Sequence, residues 1–131
     1  MIRNTARPRS PHLTVWKWGP HMLVSILNRV TGVGLATVGV TGFVGWLVAL
    51  ASGKEAYGSF MRWAEWPPMW VFPIGLTAAF FFHLCNGLRH FVLDTGAGYE
   101  LKGNRMGSFV VMGAALALTG IMWTFIFARS I

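Results

Sequence analysis

Three windows without a single Asp, Glu, Lys or Arg, at 30–52, 69–88 and 106–128, divide the chain. Each is near the ~20 residues that an apolar helix needs to cross a bilayer. The pattern predicts an all-α integral membrane protein with three transmembrane helices, over approximately 20–52, 69–93 and 106–128. Residues 1–19 mix basic and polar side chains with Pro8 and Pro11, which predicts an irregular cytoplasmic, interfacial segment. Its aromatic residues at 15–18, "VWKW", suit the headgroup layer. The whole of 1–131 reads as one membrane-anchor domain with no room for a separate soluble core.

Gly19-Pro20 has the form of a helix start, because proline is tolerated in the first turn. A helix over 20–51 is about 48 Å long at the usual rise. The hydrocarbon takes only ~30 Å of that length. The first turns therefore stand in the interfacial layer, where Ser25 and Arg29 fall. Ser25, Arg29, Gly32 and Ala36, spaced four, three and four, share one face that is polar at the rim and small-sided deeper in. Further small residues recur at Gly39, Gly42, Gly45 and Ala49, at Gly75 and Ala79, and at Gly113, Ala117 and Gly120. They allow helix backbones to approach in lipid, without saying which helices meet or whether some face a partner chain. The connection over 53–68 is polar and aromatic, with Trp63 and Trp66 expected at the outer interface and Pro67-Pro68 closing it. The connection over 95–105 is glycine-rich and charged.

Composition sharpens this picture. Of 131 residues, 54% are hydrophobic and 11% charged, against about a quarter charged in ordinary soluble domains. The formal net charge of +7 is unevenly placed. Arg3, Arg7, Arg9 and Lys17 precede the first span, Lys102 and Arg105 lie between the second and third, and Arg29 and Arg89 sit at span ends on that same side. The other side has only Lys54, Arg62 and Arg129. Basic residues near span ends favour the cytoplasm, which predicts an N-in, C-out topology. A basic inner rim also suits anionic lipid headgroups. No basic helix face or groove-reading motif points to nucleic acid. The single cysteine, Cys85, reads as a small buried packing residue, and Cys-x-x-Cys-His is absent, so covalent haem attachment is not indicated. The N-terminus lacks the apolar core of a cleavable signal and is too short for a typical organellar presequence. The expectation is a bacterial inner membrane.

The second window ends in "FFFHLCNGLRHFVLD", residues 80–94, with polar groups that are costly in hydrocarbon. His83, Gly87, His90 and Asp94 are spaced four, three and four and share a helix face, with Asn86 beside them. A flat, largely apolar cofactor needs such a face. Imidazole ligates haem iron, a glycine lets the macrocycle lie against the backbone, and rim cations such as Arg29, Arg89 or His90 neutralise propionates. The alternative is a histidine that packs, hydrogen-bonds across helices or serves a proton path. His90, nearer the surface, suits a headgroup or propionate better than iron. His12 and His21 lie outside the hydrocarbon, so a second imidazole ligand would have to come from a partner subunit.

Three ordered blocks carry a family likeness: "RPRSPHLTVWKW" (7–18), "SILNRVTG" (25–32) and "HLCNGLRHFVLD" (83–94). Together with the length and three-span layout, they resemble the cytochrome b membrane-anchor subunit of succinate dehydrogenase, respiratory complex II. The resemblance implies a second small three-span anchor and, on the cytoplasmic or matrix face, an iron–sulfur and a flavoprotein subunit. It implies one haem b shared between the two anchors, with His83 matching the ligand from this chain. It also implies a ubiquinone pocket at the iron–sulfur interface, to which Ser25 and Arg29 correspond, with Ile26 in the same block. Asn28, Arg29, Gly87 and His90 then fall to haem propionates or packing. Asn28 departs from the family, which usually has histidine there; asparagine donates a hydrogen bond but carries no positive charge.

Reduction of ubiquinone in the tricarboxylic acid cycle and respiratory chain takes two electrons and two protons. Nothing in this chain oxidises succinate, so alone it is not expected to be an enzyme toward succinate. Ser25 can donate to a quinone carbonyl, and Arg29 can offset negative charge on quinone or propionate. Two alternatives remain open: a fumarate reductase-type anchor running similar chemistry in reverse, and a haem-free structural membrane subunit.

Overall fold

The computed structural model describes residues 18–129. The interfacial segment expected over 1–19 therefore falls outside the described residues, apart from Trp18 and Gly19.

Helix α1, Pro20–Gly34, starts where the sequence places it, with proline in the first turn and an extended Gly19 before it. The N–H groups of Met22 and Leu23 donate to the Gly19 carbonyl. The backbone then widens into a π-helical stretch, Leu35–Gly39, before α2, Val40–Ala51. The N–H of Val40 reaches back to the carbonyls of Leu35 and Thr37. The three pieces form one 32-residue rod, Pro20–Ala51, apolar and long enough to cross a membrane. A π turn takes up an additional residue, so residues after it are rotated relative to an uninterrupted α-helix. The stripe from Ser25 to Ala36 consequently does not continue straight into Gly42 and Gly45.

The first connection contains a helix that the sequence reading did not assign. Gly53, at φ 100°, turns the chain into α3, Lys54–Ala64. Ala56, Tyr57, Phe60, Met61 and Ala64 form its half-buried face, while Lys54, Glu55, Ser59, Arg62 and Trp63 are exposed. Glu55 in the first turn and Arg62 in the last complement the helix dipole. The position a Cβ would take at Gly45 lies 3.8 Å from the Phe60 ring, so α3 folds back onto α2. Trp63 and α2 residues Thr41 and Gly42 line a cavity of about 410 Å³ with Phe72 and Leu76.

A short 3-10 turn, Pro67–Trp70, leads into α4, Val71–Asp94. Gly96 and Gly98, at φ 85° and 81°, end α4 and reverse the chain. Helix α5, Leu101–Arg129, begins early enough to hold Lys102 and Arg105 in its first turns. Helices α4 and α5 form the most extensive pairing, with α1 against both. The buried core is small: Val24 from α1, Phe82 from α4, Val111 and Ala115 from α5. Cys85 is half-buried and packs against it. At the opposite end from the Pro20 start, Trp70 stacks on Phe127 with centroids 5.3 Å apart, and Trp123 tilts against Phe127. Large apolar side chains such as Val33, Phe43, Leu88, Leu116 and Ile121 point outward along every long helix. Such surfaces belong against lipid or another apolar chain.

Candidate functional site

The polar residues of 80–94 separate into two faces. Asn86 is 1% exposed and is turned to the α4–α5 seam. Arg89 donates from Nη1 to Asn86 Oδ1 at 3.4 Å and from Nη2 to Asn104 Oδ1 across the seam. A Cβ at Gly107 would lie 3.2 Å from Arg89 Nε, so the guanidinium stem fits because α5 has no side chain there. Ser108, wholly buried beside it, donates to its own Asn104 carbonyl at 2.9 Å. This placement corrects one expectation: Arg89 is committed to α5 and is not a free rim cation for a ligand near His83. The physical reason is angular, since six residues of α-helix carry Arg89 about 120° away from His83.

The second face carries His83 and His90, both exposed, and half-buried Gly87 between them. A Cβ at Gly87 would meet nothing within 4 Å. His83 makes no hydrogen bond among the described residues. Its ring approaches α1 instead: a Cβ at Gly32 would lie 3.1 Å from His83 Cε1 and 3.7 Å from Nδ1. No other ring atom comes within 4 Å of that point, so Nε2 is the nitrogen turned away from α1.

Gly32 belongs to the α1 stripe that carries Arg29 and Ser25. Those two lie about 4 and 10 Å along the helix axis from Gly32, by the usual rise. Arg29 is exposed and has no ion-pair or hydrogen-bond partner among the described residues. Ser25 is half-buried, and its hydroxyl likewise forms no hydrogen bond there. This sets Ser25 apart from most hydroxyls of the long helices. Thr31, Thr37, Thr77, Ser108, Thr119 and Thr124 each donate to the carbonyl four residues back, at 2.6–2.9 Å. Ile26 and Asn28 are half-buried neighbours; the Asn28 carbonyl accepts a second, longer contact of 3.2 Å from Thr31.

Among the described residues no group of three or more His, Cys, Asp or Glu side chains could hold a metal ion. A lone exposed imidazole beside an open glycine does not build a centre for a bare cation. It suits an ion whose remaining ligands arrive with a prosthetic group or from another chain.

The sequence pattern of the family described as "Succinate dehydrogenase/Fumarate reductase transmembrane subunit" matches residues 3–122. The chain belongs to this family. It is 37% identical over 118 residues to the "Succinate dehydrogenase cytochrome b556 subunit" of Rickettsia conorii, covering 89% of this chain and 90% of that one. It is 33% identical over 116 residues to the subunit of the same name in Paracoccus denitrificans, covering 86% and 85%. Similarity extends to the "Succinate dehydrogenase cytochrome b560 subunit, mitochondrial" of Mus musculus, at 30% identity over 122 residues, 90% and 72%. The succinate dehydrogenase resemblance read from the three blocks is thereby established, and the chain is a cytochrome b membrane subunit of that type.

Within this family's frame, the sequence reading overlooked two partners. Asn104 lay in a stretch read as a loop, and Gly32 was placed on the Ser25–Arg29 face without the residue that packs on it. The available signal for Asn104 was a polar amide one turn from Ser108, at the edge of an apolar window.

Proposed function

We propose that this anchor subunit co-ligates a haem b with a second membrane chain and forms one wall of a ubiquinone reduction site. The carrying observation is that the His83 ring rests on Gly32, a member of the stripe bearing Arg29 and Ser25. The candidate iron ligand and the candidate quinone residues therefore attend the same side of α1. The names of the relatives, all cytochrome b subunits, support the same reading.

The residues fit the group. A porphyrin would bring its own four nitrogens to the iron, so the protein would need to add only an imidazole nitrogen, as His83 offers with Nε2. The open space above Gly87, one turn from His83, accommodates a flat ring against the helix. His83 would hold the iron, and His90, Arg29 and Asn28 line the rim where propionates need compensation. When bound, haem supplies a one-electron redox centre. Among the described residues no second imidazole is brought to His83, so a further ligand would come from the partner anchor.

Toward quinone, Ser25 keeps its hydroxyl proton available, since it is not spent on the helix carbonyl four residues back. It donates to a carbonyl oxygen of the quinone head. Arg29, one turn away, stays charged at any relevant pH and offsets the negative charge that gathers on the head as electrons arrive. Ile26 supplies apolar contact between them. The electrons come from an iron–sulfur subunit that, with a flavoprotein, completes the complex on the cytoplasmic face. The basic cavity of about 480 Å³ lined by Trp18, His21, Lys102 and Arg105 stands at that same rim and suits anionic headgroups. The placement is a bacterial inner membrane with the N-terminus inside.

Isolation of the complex from native membranes tests this directly. The expected result is a reduced b-type absorption band together with three co-purifying chains. An assembly that lacks this band would instead favour a haem-free tether, and a preference for fumarate reduction would favour the reverse-running enzyme.

A further inference from the structure

We infer that Gly32 is a positioning residue for the His83 imidazole. By lacking a side chain, it lets the α1 backbone form a wall against the Nδ1–Cε1 edge of the ring, and so sets the direction in which Nε2 points. This rests on the reading of His83 as an iron ligand and extends it to a residue on the neighbouring helix.

His83 is exposed on α4, and no hydrogen bond among the described residues fixes its two side-chain torsions. An unsupported imidazole samples several rotamers. A ligating nitrogen must hold one direction, and the second contacts around such donors orient them and tune the metal. In most histidine ligands that support is a hydrogen bond to the non-ligating nitrogen. Here the support is packing. The ring sits where a Gly32 methyl would be 3.1 Å from Cε1, closer than the 3.4–4 Å of ordinary contact. The effect is local to this glycine. A methyl at Gly34, two residues on, would meet nothing within 4 Å.

Gly32→Ala therefore does not remove the ligand; it turns or displaces the ring by a few tenths of an ångström. For a low-spin haem, the orientation of the axial imidazole is read in the electron paramagnetic resonance g-values and in the midpoint potential.

The test compares Gly32→Ala, Gly34→Ala and His83→Leu in the assembled complex extracted from membranes. Gly32→Ala is expected to keep its haem while its largest g-value and midpoint potential shift; Gly34→Ala keeps the parent values. Parent-like g-values in Gly32→Ala overturn the positioning role, as does an equal shift in Gly34→Ala. His83→Leu separates this from the underlying reading: if it leaves the low-spin haem intact, His83 is not the ligand and both ideas fall. Where Gly32→Ala does not accumulate, a Gly32→Ala, His83→Ala double variant decides. Accumulation equal to His83→Ala alone identifies the methyl–imidazole collision as the cause, and lower accumulation overturns it.

Discussion

The guanidinium of Arg89 on α4 donates to the side-chain oxygen of Asn104 on α5, across a seam opened by Gly107. This cation is thus neutral-partnered: the side-chain oxygens of Asn86 and Asn104 accept its hydrogen bonds, and among the described residues no carboxylate pairs with it. Hydrogen bonds to a charged group contribute about 1.5–3 kcal/mol, and an orphaned one costs more. Asn104→Leu should therefore destabilise the α4–α5 pair by about 2 kcal/mol. It should lower the thermal midpoint of the detergent-solubilised complex, while Arg89→Leu combined with Asn104→Leu recovers part of the loss. An unchanged midpoint in Asn104→Leu would mean that the bond carries no net stability.

His83→Leu tests the iron ligand. The side chain is exposed on the chain itself, so the substitution leaves the three-helix core of Val24, Phe82, Val111 and Ala115 untouched. The low-spin haem band should disappear or convert to high spin, with the anchor still present in membranes. Retention of the parent spectrum would rule the assignment out.

Arg29→Leu separates quinone chemistry from assembly. Succinate oxidation by an artificial dye depends on the extrinsic subunits and should be retained, while quinone reductase activity falls by tenfold or more, a loss of about 1.4 kcal/mol or greater in transition-state stabilisation. Ser25→Ala should show the same split more weakly, because one neutral hydrogen bond is weaker than a full charge. Equal loss of both activities would point to failed docking of the iron–sulfur subunit.

Orientation is open to labelling. In a Cys85→Ala background, Glu65→Cys after α3 should react with an impermeant maleimide from the outside of intact cells. Glu100→Cys, before α5, should react only after the membrane is opened. The reverse pattern would place the N-terminus outside.

Much of this was legible along the chain because a bilayer imposes a simple rule: about 20 uncharged residues in a row can cross it only as a helix. The three long rods follow from that rule. Helix α3 escaped notice for the complementary reason. Its apolar positions 56, 57, 60, 61 and 64 are interleaved with Gly58, Ser59 and Arg62, so it reads as a polar connection unless the 3.6-residue period is sought in it. The π turn at Leu35–Gly39 has no sequence signature of its own, since one additional residue in a glycine-rich helix is decided by how α1 and the π stretch fit against α4.

The sequence by itself determined that the chain is helical, that three of its helices are long and apolar enough to cross a membrane, and that His83, Gly87 and His90 share a face. Those are one-dimensional properties, set by hydrophobic run length and helical period. Only the tertiary structure decided that Arg89 turns to Asn104 and that Gly32 lies under His83. Pairing between helices depends on how three rods cross and rotate in space, and small residues repeated along all of them leave several crossings open until the side chains meet.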